Sequence, residues 1–496
     1  MRKMPLTDAL FLFGESRRTP MHVGCLSLFT LPGKVDDASF LSTLGNILSD
    51  DREMRRPFGE KLKMGHLGPL GPIHWEHDDL LDMDYHIRHS ALPKPGRYRE
   101  LFALVSRLHS TLLDRSRPLW EMHLIEGLQK RQFATYFKVH HCAIDGAGTM
   151  HLTNSMYSTN AKSRVNFSPY SQQAFEAYRQ QVSANQKVKI RPREDEVRAV
   201  TEVLRQQLGS TVNVAQALRK YAKVWMGTKT SLSVPWHQVP KTNFNTRITG
   251  SRRFVAQSWP LARIRAIGKA SGGTLNDTVL AICSGALRQY LIEHQDLPRH
   301  SLKAMTPVSL RAADDLESAN AVSFMTANLG TNEKDPEKRL RIIQDSMTAA
   351  KSQLRGMSRR EIEVYTALTQ APALLIGLTG LADTFPAFST VISNVPGPAK
   401  KMYWNGARLD GLYPVSIPYD GAAINISLVS NNNNLDFGIV ACRHTVPQLQ
   451  RLIDYMDNSI AELEQATGLS TGPKGKSARQ KKAAAASKRT ATHSTR

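Results

Sequence analysis

At 496 residues the chain exceeds what one hydrophobic core usually organises, so two domains are expected. Its 41% hydrophobic and 22% charged residues exclude a disordered or fibrous protein, and no apolar run reaches the ~18 residues of a transmembrane helix. The formal charge of +22 admits nucleic acid, anionic lipid or a phosphate-bearing small molecule as partners without choosing among them.

The apolar stretch Ala9 to Phe13 behind the basic start is shorter than a secretory signal core, so export is not expected. Val23 to Thr30 reads as a strand closed by Pro32-Gly33. A helix follows with Phe40, Leu41, Leu44, Ile47 and Leu48 on one face, capped by Asp36 or Asp37. Leu101, Val105, Leu108 and Leu112 mark a second helix. Trp120 to Glu126 and Phe133 to His140 read as strands around a turn at Gly127 to Arg131. That places His140 and His141 at a strand end.

From about residue 160 the composition turns polar and helical until Val234-Pro235. The alternation then resumes with a strand from Arg253 to Trp259 and helices from Ala262 to Ala270 and from Leu275 to Leu291. A hairpin of Ile424 to Ser430 and Leu435 to Ala441 turns at the four asparagines 431–434, and a last helix is predicted from Val446 to Glu464. The resulting division is an N-terminal domain 1–175, a helical connection 176–240, a C-terminal domain 241–470 and a disordered tail 471–496, the two domains being of mixed α/β (α+β) class. The tail carries eight Lys or Arg after Pro473 and no acidic residue.

Cys25, Cys142, Cys283 and Cys442 are far apart with no CxxC pair, which predicts free thiols in a reducing cytoplasm. In His140-His141-Cys142-Ala143-Ile144-Asp145-Gly146, a histidine pair precedes an Asp-Gly turn. An imidazole titrating near pH 6.5 can take a hydroxyl proton and return it to a leaving group. The alternative is that Asp145 merely caps the helix opening at Gly146, the histidines being ordinary strand residues. Neighbours on a strand face opposite ways, so the two rings have different roles, and Cys142 is turned away from His141. The spacing is not that of a zinc helix, so no metal is expected.

The segment matches the HHxxxDG signature of the CoA-dependent acyltransferases. With Pro5-Leu6-Thr7-Asp8, Pro20-Met21-His22-Val23-Gly24, Pro118-Leu119-Trp120-Glu121, Asn276-Asp277, Pro307-Val308-Ser309-Leu310-Arg311 and Asn394-Val395-Pro396-Gly397-Pro398, the chain resembles the wax ester synthase/diacylglycerol acyltransferase family over nearly its whole length. The resemblance implies two chloramphenicol-acetyltransferase-like domains facing a shared channel. It further implies acyl-CoA as donor substrate, with no cofactor, and a long-chain alcohol or diacylglycerol as acceptor. It makes His141 the base and His140 its support. Asp145 becomes a structural carboxylate, with Arg311 as the candidate cation beside it.

Asn276 stays open between an oxyanion-side donor and a helix opening in which Thr274 and Asp277 form a capping box. Asn394 precedes a rigid Pro-Gly-Pro turn, and Trp120 reads as core or channel wall. The apolar stretch Ala367 to Leu381 is a core helix or a surface meeting lipid; on the latter reading the enzyme sits peripherally on the inner membrane face or on lipid inclusions. Two other functions compete: a carrier-protein-dependent condensation or polyketide acyltransferase of the same superfamily, and a non-enzymatic basic protein coating lipid bodies. No nucleic-acid-binding module is recognisable, and nothing fixes the oligomeric state.

Overall fold

A computed structural model of the protein describes residues 1–469 except Lys34, 65–70, 145–147, 150–151, 153–154, 186–211, Lys229, 310–321, 356, 358–360, 363, 367, 370–375 and 377–379. The first half comprises β1 (Arg2–Lys3), α1 (Leu6–Gly14), β2 (His22–Thr30), α2 (Asp37–Leu48), β3 (Glu60–Lys63), β4 (His74–His77), α3 (Met83–His86), β5 (Ile87–Ala91), α4 (Tyr98–Ser110), β6 (Trp120–Leu128) and β7 (Gln132–His140). Next come α5 (Gln172–Asn185) and α6 (Val212–Trp225). The second half comprises β8 (Arg252–Pro260), α7 (Leu261–Ala270), α8 (Leu275–Glu293), β9 (Lys303–Ser309), β10 (Val322–Asn328), α9 (Pro336–Leu354), β11 (Thr390–Val395), β12 (Tyr403–Trp404), β13 (Ala407–Val415), β14 (Ile424–Asn431), β15 (Asn434–Cys442) and α10 (Arg451–Ala466). The disordered-tail expectation, at 471–496, lies outside the described residues.

Two six-stranded sheets organise these elements. The first runs β12-β13-β2-β7-β6-β5 and the second β10-β9-β11-β14-β15-β8. Alternation along β7 sorts its side chains. Phe133, Phe137 and Val139 join Trp120, Met122 and the α2 leucines 41, 44 and 48 on one face. Ala134 and Tyr136 join Leu26, Leu28, Leu101 and Val105 on the other, where Phe254 and Val440 of the second sheet complete the cluster. One face of the first sheet is thus a private core and the other a seam between the halves.

The second core wraps α8, whose Val279 to Cys283, Ala286 and Leu287 are fully buried. A helix apolar on every side must be enclosed, and here α7, α9, α10 and the sheet enclose it. Its start has the expected capping box: the Thr274 hydroxyl accepts the Asp277 N–H at 3.3 Å and Asp277 accepts the Thr274 N–H at 2.8 Å. The last helix begins five residues later than its pattern suggests. Pro447 and the left-handed Gln448, at φ 55°, hold the preceding residues in turns, while Val446 and Leu449 still reach the core.

The sheets do not follow chain order. β13, from late in the sequence, pairs antiparallel with β2 in the first sheet, Val415 opposite Gly24 and Arg408 opposite Thr30, and the two-residue β12 lies outside it at the edge. β13 also lies against β15 so closely that a Cβ on Gly438 would sit 1.8 Å from the Pro414 carbonyl oxygen. The exposed edge of the second sheet is covered from the first half: the β8 N–H groups of Arg252 and Phe254 each donate to an α4 hydroxyl, Ser110 and Ser106, at 2.9 Å. Both serines donate in turn to the carbonyl four residues back, so no edge group is left bare at those positions.

Asp436 ties the crossing strand to the second sheet. Its Oδ2 accepts the Leu412 N–H at 2.8 Å and the Asn431 side-chain amide at 2.9 Å, while Oδ1 is buried with no hydrogen-bond partner among the described residues. Burial outweighs these bonds and pushes the carboxyl up to about 6. A folded-state pKa above the unfolded value stabilises fully below pH ~4 and loses that contribution as pH rises through ~6, a loss of about 3 kcal/mol. Asp436→Asn should abolish this component, so urea unfolding at pH 4 and pH 7.5 should show wild type losing more stability than the variant over that range.

Candidate active site

The histidine pair is seated by the chain's first turn. After α1 the residues Ser16 to Thr19 form a hydrogen-bonded turn, Thr19 N–H to Ser16 carbonyl at 3.0 Å, which sends the chain back into β2. β2 then pairs with β7 so that His22 lies opposite His140. One residue on, the His141 N–H donates to the Met21 carbonyl at 2.9 Å. The His141 ring is half-buried and stacks on Phe11 of α1, with centroids 4.1 Å apart and planes 15° apart.

His140 goes the other way, into the interior, where it is fully buried. Its Nδ1 accepts the Cys142 N–H at 3.1 Å, so a neutral ring carries its proton on Nε2. That nitrogen lies 3.4 Å from Oε1 of Glu15, the residue capping the end of α1. The same Oε1 accepts the Met21 N–H at 3.0 Å, and Oε2 accepts two bonds from the Arg115 guanidinium at 2.9 and 3.2 Å. Burial alone would raise the Glu15 carboxyl, but His140, the Met21 N–H and Arg115 together hold it below the ordinary range. It is a buried anion beside the histidine pair.

More charge lies on the same inner face of β6 and β7. Lys138, fully buried, reaches Glu121 Oε2 at 3.2 Å and donates to the carbonyls of Leu108 and Thr111 at 3.2 and 3.0 Å. Burial would raise Glu121, yet His123, Lys138 and Arg88 bring it down to about 2. His22 donates through Nε2 to the His109 carbonyl at 2.9 Å. His109 accepts from the Tyr136 hydroxyl at 2.8 Å and donates to the Ser416 carbonyl of the second half at 2.9 Å. Desolvation keeps both rings neutral, His109 being pushed down to about 3.

The site stands at the seam. Arg18, three residues before Met21, pairs with Asp420 at 3.0 Å, and Arg252 donates to the Arg18 carbonyl at 2.6 Å. Of the residues expected from sequence, the fold gathers His140, His141 and the Leu119-Trp120 corner: the His140 N–H donates to the Leu119 carbonyl at 3.0 Å. Trp120 itself is core, its indole N–H bonded to the Phe58 carbonyl at 2.9 Å and its ring stacked on His86. Asn276 is half-buried in the first turn of α8, and Asn394 is half-buried on β11 opposite Leu428. Asp145, Gly146 and Arg311, with the pairing expected of them, lie outside the described residues.

Burial raises the Cys142 thiol well above its usual value, so it is protonated and poorly suited to nucleophilic attack. Sequence reasoning did not single out Glu15, Arg115 or Lys138, and took Glu121 only as the last residue of the Pro118-Leu119-Trp120-Glu121 motif. Lys138 did leave a signal, a lone cation between Phe137 and Val139 in a strand buried on both faces; Glu15 left none.

Residues 4–279 match the model of the wax ester synthase/diacylglycerol acyltransferase catalytic domain, and residues 318–464 match that of the family's C-terminal domain. The chain belongs to this family. A Mycobacterium tuberculosis protein named as a probable diacylglycerol O-acyltransferase is 41% identical, over 95% of this chain and 100% of its own. The O-acyltransferase WSD of Acinetobacter baylyi is 38% identical, over 94% and 97%. Among solved structures, the wax ester synthase/diacylglycerol acyltransferase of Marinobacter aquaeolei VT8 superposes with a TM-score of 0.74 at 40% identity, covering 94% of this chain and 100% of that one. A condensation domain of the calcium-dependent antibiotic synthetase shares the fold, at a TM-score of 0.56 and 12% identity.

In this member of the family the buried Lys138–Glu121 pair supports the strand that ends in the histidines. Glu121→Gln leaves Lys138 without its counter-charge and should cost about 3 to 5 kcal/mol in urea unfolding at pH 7. Because the Glu121 carboxyl is depressed, its contribution is present above pH ~4.5 and disappears as pH falls toward ~2; the gap between wild type and variant should close in that window.

Proposed function

We propose that the protein transfers a fatty acyl group from acyl-CoA to the hydroxyl of a long-chain alcohol or of diacylglycerol, with His141 as general base. Membership of the family supports the acyl transfer. The observation that carries the assignment of the base is the placement of His141, held by Met21 and Phe11 at a strand end on the seam while its neighbour is buried. His141 takes the hydroxyl proton as the oxygen attacks the thioester carbon. The tetrahedral intermediate collapses with cleavage of the carbon–sulfur bond, and the imidazolium returns the proton to the CoA thiolate. The sequence balances without a covalent acyl-enzyme or a metal.

Thiol release from palmitoyl-CoA, measured with hexadecanol and separately with diacylglycerol, tests this reading. Wild type should form ester with at least one acceptor, and folded His141→Ala should lose at least about 100-fold in kcat. Ester formation at the wild-type rate by His141→Ala removes the assignment. Activity only with carrier-tethered acyl groups selects the condensation-type alternative.

We further propose that the enzyme meets its lipid substrates at an anionic surface. No helix among the described residues is long and apolar enough to cross a membrane. Trp225, Met226 and Phe385 are 48%, 75% and 57% exposed. They are carried on neighbouring segments: Trp225 touches the ring of His237, and the adjacent Trp236 N–H bonds the Ala387 carbonyl. Arg219, Lys220 and Lys223 are exposed on the same helix, α6, within a stretch from residue 203 to 276 that has twelve Lys or Arg and no Asp or Glu. Apolar side chains beside cations suit a phospholipid interface. Of the Ala367 to Leu381 segment, much lies outside the described residues, though Leu368 and Leu381 are half-exposed. In flotation with vesicles of phosphatidylcholine containing phosphatidylglycerol, wild type should bind and the double variant Trp225→Ser/Phe385→Ser should bind at least about 10-fold more weakly. Equal binding of the two would rule out this face.

A further inference from the structure

We infer that Glu15 is a positioning residue for acyl transfer, its carboxylate fixing the protonated nitrogen of His140 and, through Met21, the backbone seat of His141. The inference rests on the reading of His141 as the base.

Both oxygens of Glu15 are engaged, and its side chain is 2% exposed. Oε1 stands between the Met21 N–H at 3.0 Å and His140 Nε2 at 3.4 Å; Oε2 takes the Arg115 guanidinium. The Met21 peptide therefore has Glu15 on its N–H and the His141 N–H on its carbonyl, at 2.9 Å. A shift of the carboxylate moves both ends of that chain. His140 is held from the other side as well, since Nδ1 accepts the Cys142 N–H. With one nitrogen an obligatory acceptor, the other must be the donor, and Glu15 is the anion facing it. A carboxylate behind an imidazole sets its tautomer and orientation, as outer partners do for metal-binding histidines.

A purely structural role would have Glu15 only pair with Arg115 and pin α1. Arg115 also donates to the Leu12 carbonyl of α1 at 2.7 Å, a tie that does not need the carboxylate. Glu15→Gln keeps an oxygen acceptor for the Met21 N–H and removes the charge facing His140. It therefore separates the two roles.

The test measures kcat and KM for palmitoyl-CoA with hexadecanol in wild type, Glu15→Gln, Glu15→Asp and His141→Ala, with a melting temperature for each. Glu15→Gln should lose roughly 10- to 100-fold in kcat, the cost of a misplaced base, with KM within about twofold and little change in melting. Glu15→Asp, which restores the charge at shorter reach, should recover part of the loss. Glu15→Gln with wild-type kcat, or a loss in both variants that follows melting temperature alone, overturns the inference. Should Glu15→Gln fail to fold, Glu15→Asp decides: wild-type kcat overturns the positioning role, and reduced kcat at unchanged KM and melting supports it. Absence of ester with wild type, or full activity in His141→Ala, would instead defeat the underlying reading.

Discussion

A strand that buries charge dictates where its neighbours must be, and β7 is such a strand. Its outer face is apolar, but its inner face presents Tyr136, Lys138 and His140, all fully buried. An unpaired ammonium in that position would cost several kcal/mol, so the fold has to bring it a carboxylate and spare acceptors. Glu121 arrives from the adjacent strand, the carbonyls of Leu108 and Thr111 from the end of α4, and Glu15, itself held by Arg115, faces His140. Each partner fixes a different element against β7. Meeting the electrostatic demand therefore assembles the walls of the site.

The second constraint is the sharing of elements between the halves. β13 leaves the second half to extend the first sheet, while α4 of the first half covers the open edge of β8 with two serine hydroxyls. Neither half completes its hydrogen bonding alone, since removing β13 would bare the edge of β2 and removing α4 would bare β8. The histidine end of β7 is anchored to this exchange through Arg18, which bonds Asp420 and lies in the turn that delivers Met21 to His141. The strand end that carries the histidines is thus tied, through Arg18, to a boundary that the two interlocked halves hold. A transfer between two bound substrates depends on fixed placement of this kind.

Much of this was legible in the sequence because it is local. Periodicity gave β2, α2, β6, β7 and α8 within a few residues, and the Thr274–Asp277 capping box was readable from its spacing. The histidine pair was recognisable because chemistry and signature coincide in seven consecutive residues. What escaped is non-local. Nothing near Glu15 marks it as the neighbour of a histidine 125 positions later, and no alternation announces that residues 407–415 join a strand at residues 22–30. The start of the last helix was misjudged for a different reason. Val446 and Leu449 have helical spacing and are buried, yet they reach the core from turns, so burial and helical conformation part company there.

The divergence of the two histidines follows from the same geometry. On a continuing strand His140 and His141 would point to opposite faces. Here β7 ends at His140, and the next backbone N–H still donates to the residue the β2–β7 register places opposite it, Met21. One ring is turned inward, its Nδ1 accepting the Cys142 N–H and its Nε2 facing the Glu15 carboxylate at 3.4 Å. The other stacks on Phe11 and remains half-exposed. The two adjacent rings thus have different surroundings, one enclosed and one partly exposed. On the reading proposed above, His140 is the support, His141 the proton carrier, and Glu15 the carboxylate that holds the support in place.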